Sequence, residues 1–321
     1  MFFDTLYKKA QQRPKRVAFV DGTYADVVKA ARMFKDRGFG VPYLVGKRSE
    51  IATIAGLQNI SLDGIELIEM PSPSAQAFGK EYAELRKAKG VTLEQALEKM
   101  QQPHYVAMMY LRQGLVDGVV SGYTSATKPF LPAFEIVRPR QGIGKASSYF
   151  LMTREEKTYL FADCGLQIQP TSEELADIGI ATAESAKFLG LDPKVAFLSF
   201  STQGTAKGPD VEKVQNAVKL ATQKRPDLLM EGEMQFDTAI LPEVCKKKYP
   251  QSKIMGQANV LIFPDLDAGN LGYKITERLG GFHAVGPLLQ GLNKPVQDLS
   301  RGAKVEDILD SAVICVIQAQ K

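Results

Sequence analysis

Three loops rich in Ser, Thr and Gly follow short apolar runs: Asp117-Gly118-Val119-Val120-Ser121-Gly122, Ser199-Phe200-Ser201-Thr202-Gln203-Gly204-Thr205-Ala206-Lys207 and Asp298-Leu299-Ser300-Arg301-Gly302. Small hydroxyl side chains and backbone N–H groups at the carboxyl ends of strands suit an anion such as phosphate. One such loop is usually just a turn; three of them together point to an anion site. Other chemistries find little to stand on. There is no G-x-x-x-x-G-K-[ST], C-x-x-C or H-E-x-x-H, and Gly142-Ile143-Gly144 lacks the third glycine of a dinucleotide fingerprint. His104 and His283 are the only histidines, so His-centred triads have few candidates. Cys164 has no histidine in its block, and an unactivated thiol behaves as a small hydrophobe. Met108 and Met109 read as core.

Loops of this kind need rigid elements behind them, and the hydrophobic pattern supplies an α/β alternation with helices on both sheet faces. Arg16 to Val20, Val41 to Val45, Ile65 to Ile68 and Gly118 to Ser121 are predicted strands. Tyr24 to Arg37 reads as a helix closed by Gly38, and Glu81 to Lys89 and Leu93 to Met100 as two charged helices split by Gly90. After Pro139 the pattern changes: Ala146 to Met152 and Thr158 to Phe161 are spaced to pair as an antiparallel hairpin, placing a domain boundary near residue 140. Helices Ser172 to Phe188 and Asp210 to Gln223 then alternate with strands Val195 to Phe200 and Val260 to Phe263. The last element, Val305 to Gln318, carries Val305, Ile308, Leu309, Ala312 and Val316 at helical spacing and is expected to have one apolar face.

With 321 residues, 45% hydrophobic, the chain can bury two domain cores. A formal charge of +4, scattered along the sequence, does not make a nucleic-acid surface. The longest uncharged stretch, 15 residues from Leu279 to Asn293 with four glycines, falls short of a membrane span. The apolar part of Met1 to Lys9 is too brief for a secretory signal, and three cysteines (Cys164, Cys245, Cys315) make no disulfide framework, so a cytoplasmic address is expected.

The blocks Tyr159-Leu160-Phe161-Ala162-Asp163-Cys164, Leu198-Ser199-Phe200-Ser201-Thr202, Gly232-Glu233-Met234-Gln235-Phe236-Asp237, Ala258 to Leu266 with Ala268-Gly269-Asn270, and Gln290-Gly291-Leu292-Asn293-Lys294-Pro295-Val296 leading to Asp298-Leu299-Ser300-Arg301-Gly302 resemble the phosphate acetyltransferases (phosphotransacetylases) and their butyryl-specific relatives over most of the chain. The resemblance implies a two-domain, three-layer α/β/α fold like that of isocitrate and isopropylmalate dehydrogenases, with an active-site cleft between domains. It implies a first domain of residues 1–140 plus 297–321 and a second of 141–296. The implied reaction is acetyl-CoA plus phosphate to acetyl phosphate plus CoA, by direct thiolate attack in a ternary complex, with coenzyme A as substrate, no permanently bound cofactor, no catalytic metal and a homodimeric assembly. Its expected partners are acetyl-CoA, CoA, phosphate and acetyl phosphate, without nucleic acid or membrane.

Carried over block by block, the resemblance puts the catalytic carboxylate on Asp307, with Arg301 and Ser300 as its partners and as CoA-binding groups. Substrate and phosphate contacts fall on Ser121, Thr127, Lys128, Arg86 and Ser147. As sulfur attacks the carbonyl the thiol must lose its proton, and Asp307 would accept it. A carboxyl near pKa ~3.9 and a thiol near ~8.5 are mismatched, so Asp307 is expected in a poorly solvated setting. Arg301 has the planar fork for phosphate and carbonyl oxygens. Ser300 and Asp307 lie seven positions apart, about two helical turns. Taken without the resemblance, Ser300 would cap the final helix while Asp307 and Arg301 formed a surface pair.

The sequence departs from the family pattern twice. Asp26 stands where relatives commonly have arginine, and Ser121-Gly122-Tyr123-Thr124-Ser125-Ala126-Thr127-Lys128-Pro129-Phe130-Leu131-Pro132-Ala133 lacks the arginine of the corresponding loop. Lys128 replaces the charge without the bidentate fork. Alternatives are a butyryl- or propionyl-preferring enzyme, a catalytically silent acyl-CoA-sensing module, and, on fold alone, an isocitrate-type dehydrogenase.

Overall fold

The structure, a computed structural model, describes residues 2–124, 130–299 and 302–320. The chain forms two compact units, a first of Phe3–Arg140 with Leu292–Lys321 and a second of Met1–Phe2 with Gln141–Gly291.

The first unit begins with strands β1 (Lys15–Phe19), β2 (Gly40–Gly46), β3 (Glu66–Glu69) and β4 (Gly118–Ser121). All pair in parallel, in the order β3-β2-β1-β4. Val17, Ala18, Phe19 and Val119 are fully buried, as a parallel strand covered on both faces requires. Gly40 is obligatory at the start of β2: a Cβ there would lie 1.8 Å from the Lys15 carbonyl oxygen, and its φ is +151°. The chain adds β2 and β3 on one side of β1 and then returns with β4 on the other. That reversal is the topological switch point of an open parallel sheet, where ligands bind outside the carboxyl ends of the strands.

Helix Ala25–Asp36 buries Val27, Val28, Ala30, Ala31 and Phe34 and realises the predicted amphipathic pattern. Helices Phe2–Gln12, Arg48–Leu57 and Pro103–Gln113 were not marked by the sequence reading. In the last of these His104 to Met109 are all buried, so no polar face shows in its sequence. It packs against β4 and a single π-helical turn, Ala133–Val137.

The second unit opens with the expected hairpin, β5 (Ser147–Arg154) and β6 (Lys157–Ala162), paired antiparallel around Glu155, whose φ is 55°. β7 (Lys194–Leu198), β8 (Leu229–Met234), β9 (Val260–Ile262) and β10 (His283–Gln290) complete its sheet. β6, β9, β7 and β8 run parallel in that order, and β10 lies antiparallel beside β5. The long helix Ser172–Phe188 starts from a capping box: the Glu174 amide donates to Thr171 Oγ1 (3.3 Å) and the Thr171 amide to Glu174 Oε2 (2.9 Å).

The chain then returns to the first unit with β11 (Val296–Asp298), parallel beside β4 with Asp298 opposite Ser121. The final helix, Val305–Gln318, differs from the single apolar face expected of it: every residue from Ile308 to Gln318 is buried. Two of its buried polar residues are paired across the unit. Asp310 accepts the Tyr7 hydroxyl at 2.5 Å, and Gln318 Oε1 accepts Gln297 Nε2 at 2.6 Å. Just beyond, Gln320 donates to the carbonyls of Lys9, Ala10 and Arg13. Both units are α/β, with helices packed on their sheets.

Candidate active site

At the switch point the segment after β1 meets the segment after β4. Asp21, immediately past β1, accepts the Gly122 and Tyr123 amides on Oδ2 (both 3.2 Å) and the Thr124 hydroxyl on Oδ1 (2.9 Å). The Gly122 amide, at the end of a loop expected from the sequence to suit an anion, is therefore occupied, with the Tyr123 amide beside it, by a carboxylate of the same chain. A buried amide needs an acceptor, and the acid across the switch point supplies one. Beside this knot lies a cavity of about 370 Å³ lined by Asp21, Thr23, Tyr24, Lys47, His104 and Thr124, among others. Lys47 Nζ pairs with Glu50 at 3.0 Å. Ser121, the last residue of β4, is buried with its Oγ 3.4 Å from His104 Nδ1. Thr127 and Lys128 lie outside the described residues.

The two departures from the family pattern meet here. Tyr123 donates its hydroxyl to Asp26 Oδ2 at 2.9 Å, and its ring packs 5.5 Å from that of Tyr24. Burial, and then the bond to Asp26, hold the Tyr123 hydroxyl above the usual phenol range. Asp26, in the first turn of helix Ala25–Asp36, is an acceptor for the loop, with Lys29 4.0 Å away.

The second Ser/Thr/Gly loop, after β7 in the second unit, is closed in the same way. Glu233 Oε1 accepts the Ser201 hydroxyl (2.8 Å) and the Gly204 amide (2.7 Å), and Oε2 accepts Gln215 Nε2 (3.0 Å). The Ala206 amide donates to Ser201 Oγ, and the Gln235 amide to Thr202 Oγ1. Burial pushes the Glu233 carboxyl up, but the donors from Gly204, Gln215 and Ser201 outweigh it and leave the group below its ordinary value.

The third loop follows β11. Ser300 and Arg301 lie outside the described residues. Asp298 is 1% exposed, and neither carboxylate oxygen has a hydrogen-bond partner among the described residues. Burial, opposed only in part by the nearby Leu299 amide and reinforced by the Asp21 charge, pushes its carboxyl up to about 9. Gly122 (φ +102°) makes room for it, since a Cβ there would sit 2.0 Å from Asp298 Oδ1. Asp298 opens the third hydroxyl-rich loop in the sequence, and nothing in its neighbours marks it as the buried acid of that loop. Asp307 sits in the first turn of the final helix, half-buried, with Oδ2 accepting the Lys304 amide at 3.0 Å. It thus caps its own helix, the part first given to Ser300 in the reading without the resemblance.

The remaining expected contacts are tied to neighbours in their own units. Arg86, at the end of helix Ala75–Arg86, donates to Glu135 at 3.3 Å. Ser147 is buried in the second unit, accepting Gln290 Nε2 at 3.1 Å, and Gln290 also bonds Thr182 and Ser185. That network holds Ser147 from within the unit. Cys164 is buried, which drives its thiol well above the ordinary value and removes it as a nucleophile.

In fold this chain resembles a 4-hydroxythreonine-4-phosphate dehydrogenase from Burkholderia phymatum, with a TM-score of 0.53 at 12% identity, covering 95% of this chain and 97% of that one. This places it among three-layer α/β/α proteins with dehydrogenase-like architecture. Residues 1–316 match the phosphate acetyl/butaryl transferase family, and the chain belongs to that acyltransferase family. It is 41% identical over 319 residues to the phosphate acetyltransferase of Bacillus subtilis, covering 99% of this chain and 98% of that protein. The structure of a phosphotransacetylase from Streptococcus pyogenes superposes with a TM-score of 0.95 at 41% identity, covering 99% and 98% of the two chains.

Proposed function

We propose that this protein is a phosphate acetyltransferase, moving an acetyl group reversibly between coenzyme A and inorganic phosphate. The observation that carries the reading is end-to-end similarity, at about two-fifths identity, to a protein of that name. In the direction of acetyl-CoA synthesis, the CoA sulfur attacks the carbonyl carbon of acetyl phosphate, its proton passes to a carboxylate, and the C–O bond to phosphate breaks as phosphate leaves. Asp307 takes the proton, Arg301 holds phosphate and the developing oxyanion, and Ser300 donates a hydrogen bond beside it. The half-buried Asp307, already held by an amide, accepts the proton as transfer develops rather than stripping the thiol in advance. Coenzyme A acts as a substrate, and no resident cofactor takes part.

Three free, buried cysteines are in keeping with a cytoplasmic setting. Leu271, Ile275 and Leu279 form an exposed apolar stripe at four-residue spacing, which supports a homodimer. Equilibrium sedimentation checks that assembly.

The decisive assay follows thiol release from acetyl-, propionyl- and butyryl-CoA with and without phosphate. Phosphate-dependent release, fastest with acetyl-CoA, is the expected result; preference for butyryl-CoA would move the protein to the longer-chain acyltransferases. A second reading, the silent acyl-CoA sensor, is favoured by one observation: Asp26 is bonded to Tyr123, so a carboxylate held by a phenol stands at this rim where the resemblance leads one to expect an arginine. Binding of acetyl-CoA without any phosphate-dependent turnover would select it.

A further inference from the structure

Arg86 has surroundings that the acyl-transfer reading does not use. Glu135, in the π-helical turn Ala133–Val137, receives three donors: Arg86 Nη2 on Oε1 at 3.3 Å, and the hydroxyls of Tyr82 (2.7 Å) and Tyr105 (2.8 Å) on Oε2. The two tyrosines are buried, with rings edge-on at 5.6 Å, and come from different helices, Ala75–Arg86 and Pro103–Gln113. Burial, and then the bond to Glu135, raise both hydroxyls far above neutrality, so each stays a donor at any working pH. Glu135 is thereby fixed from two sides and cannot swing to meet Arg86 more closely.

A guanidinium carries five N–H donors in a planar fork, and its pairs with carboxylates are frequently made on two parallel bonds. Here Glu135 takes a single, long bond. Arg86 Nε is buried and has no partner among the described residues. A buried donor left unmade is costly, and an oxyanion set against that edge would satisfy it. Single π-helical turns are frequent at functional sites.

We propose that Glu135 is a positioning residue: it anchors one nitrogen of Arg86 so that the Nε edge remains turned to an oxyanion of the phosphate class. This rests on the acyl-transfer reading and adds to it the group that aims the arginine.

The test is a double-mutant cycle on the full chain with Arg86→Ala, Glu135→Gln and both together, read in two ways: phosphate titration by calorimetry and the KM for phosphate in the acetyl-transfer assay. Glu135→Gln should weaken phosphate by about tenfold in both readouts while kcat changes less than about threefold, and should add less than about twofold in the Arg86→Ala background. Equal losses in both backgrounds, or a phosphate affinity untouched by Glu135→Gln, would overturn the proposal. If Glu135→Gln fails to fold, Tyr105→Phe, which removes one of the two clamping donors, should weaken phosphate by about threefold only when Arg86 is present. No change with Tyr105→Phe counts against it equally. Absence of acetyl transfer in the unaltered protein would sink the acyl-transfer reading alone, since the calorimetric cycle still decides the role of Glu135; a protein that binds no phosphate through Arg86 sinks the inference itself.

Discussion

Glu233, near the end of β8 in the second unit, and Asp298, at the end of β11 in the first, are both buried acids at the carboxyl end of a parallel strand, and they are treated in opposite ways. Glu233 collects donors from Ser201, Gly204 and Gln215 and stays ionised. Asp298 collects none from the described residues and is pushed toward its neutral form, with Asp21 nearby. The first arrangement locks a loop. The second leaves a carboxyl beside Ser121 without a partner among the described residues, and such unmade bonds mark places where a fold serves something other than its own stability.

The sharpest test of that contrast is kinetic. Asp307→Asn in the first unit keeps an oxygen to cap the helix but cannot take a proton. Turnover should fall about 100-fold or more, with the Michaelis constants changed little and the melting temperature nearly unmoved. Turnover close to that of the unaltered protein would remove Asp307 as the base and return it to a purely capping role.

Next in size is Glu233→Gln, which replaces one of the two acceptor oxygens by an NH₂ facing buried donors. Stability should drop by about 2 kcal/mol, roughly 4–8 °C in thermal unfolding. Because the folded carboxyl lies below its unfolded value, its contribution is complete above the unfolded pKa of about 4.3 and is lost as pH falls through the folded value. The gap between the two proteins should therefore close on acidification; a gap that persists at low pH would mean the loss is one of packing.

The same isosteric neutralisation at Asp298 should act with the opposite sign. Its folded pKa, about 9, lies above the unfolded value, so the unaltered protein loses stability as pH rises through that interval. Asp298→Asn should be close to neutral at the acid end and stabilising by about 1 kcal/mol near pH 8. Unfolding curves in denaturant at the two pH values decide it, and destabilisation at pH 8 would show that the carboxylate is partnered in solution.

The smallest effect belongs to the rim. Tyr123→Phe removes one partly buried hydrogen bond to Asp26 and should cost about 0.5–1.5 kcal/mol. Asp26→Arg removes the same acceptor and adds a cation, so it should also lower the KM for CoA, more at low salt than at high salt. An unchanged constant at both ionic strengths would place Asp26 outside the CoA site.

Much of this was legible in the sequence. Helix Ser172–Phe188 and β4 were read with the boundaries the structure shows, because a capped amphipathic run and a short apolar strand before Ser-Gly are local signals. The hairpin β5–β6 was legible for the same reason. Helix Pro103–Gln113 and β10 were not, since elements buried on all sides, or interrupted by glycine and proline, carry no period. Of the site, the sequence marked the three loops and, by resemblance, Asp307 and Arg86. What it could not mark was who answers whom: Asp21 and Gly122 lie 101 positions apart, Glu233 and Gly204 29 apart, Arg86 and Glu135 49 apart.

The amino-acid order by itself determined the α/β class, the change of pattern near residue 140 and the placement of hydroxyl-rich loops after strands, because these depend on periodicities of a few residues. Only the tertiary structure decided that two of those loops are held by carboxylates of the same unit, that Asp298 is buried at the end of its strand beside Ser121, and that Arg86 is gripped at one end. Hydrogen-bond partners are selected by which strand ends a sheet brings together, and that choice is made across tens of residues by strand order rather than by neighbours in the chain.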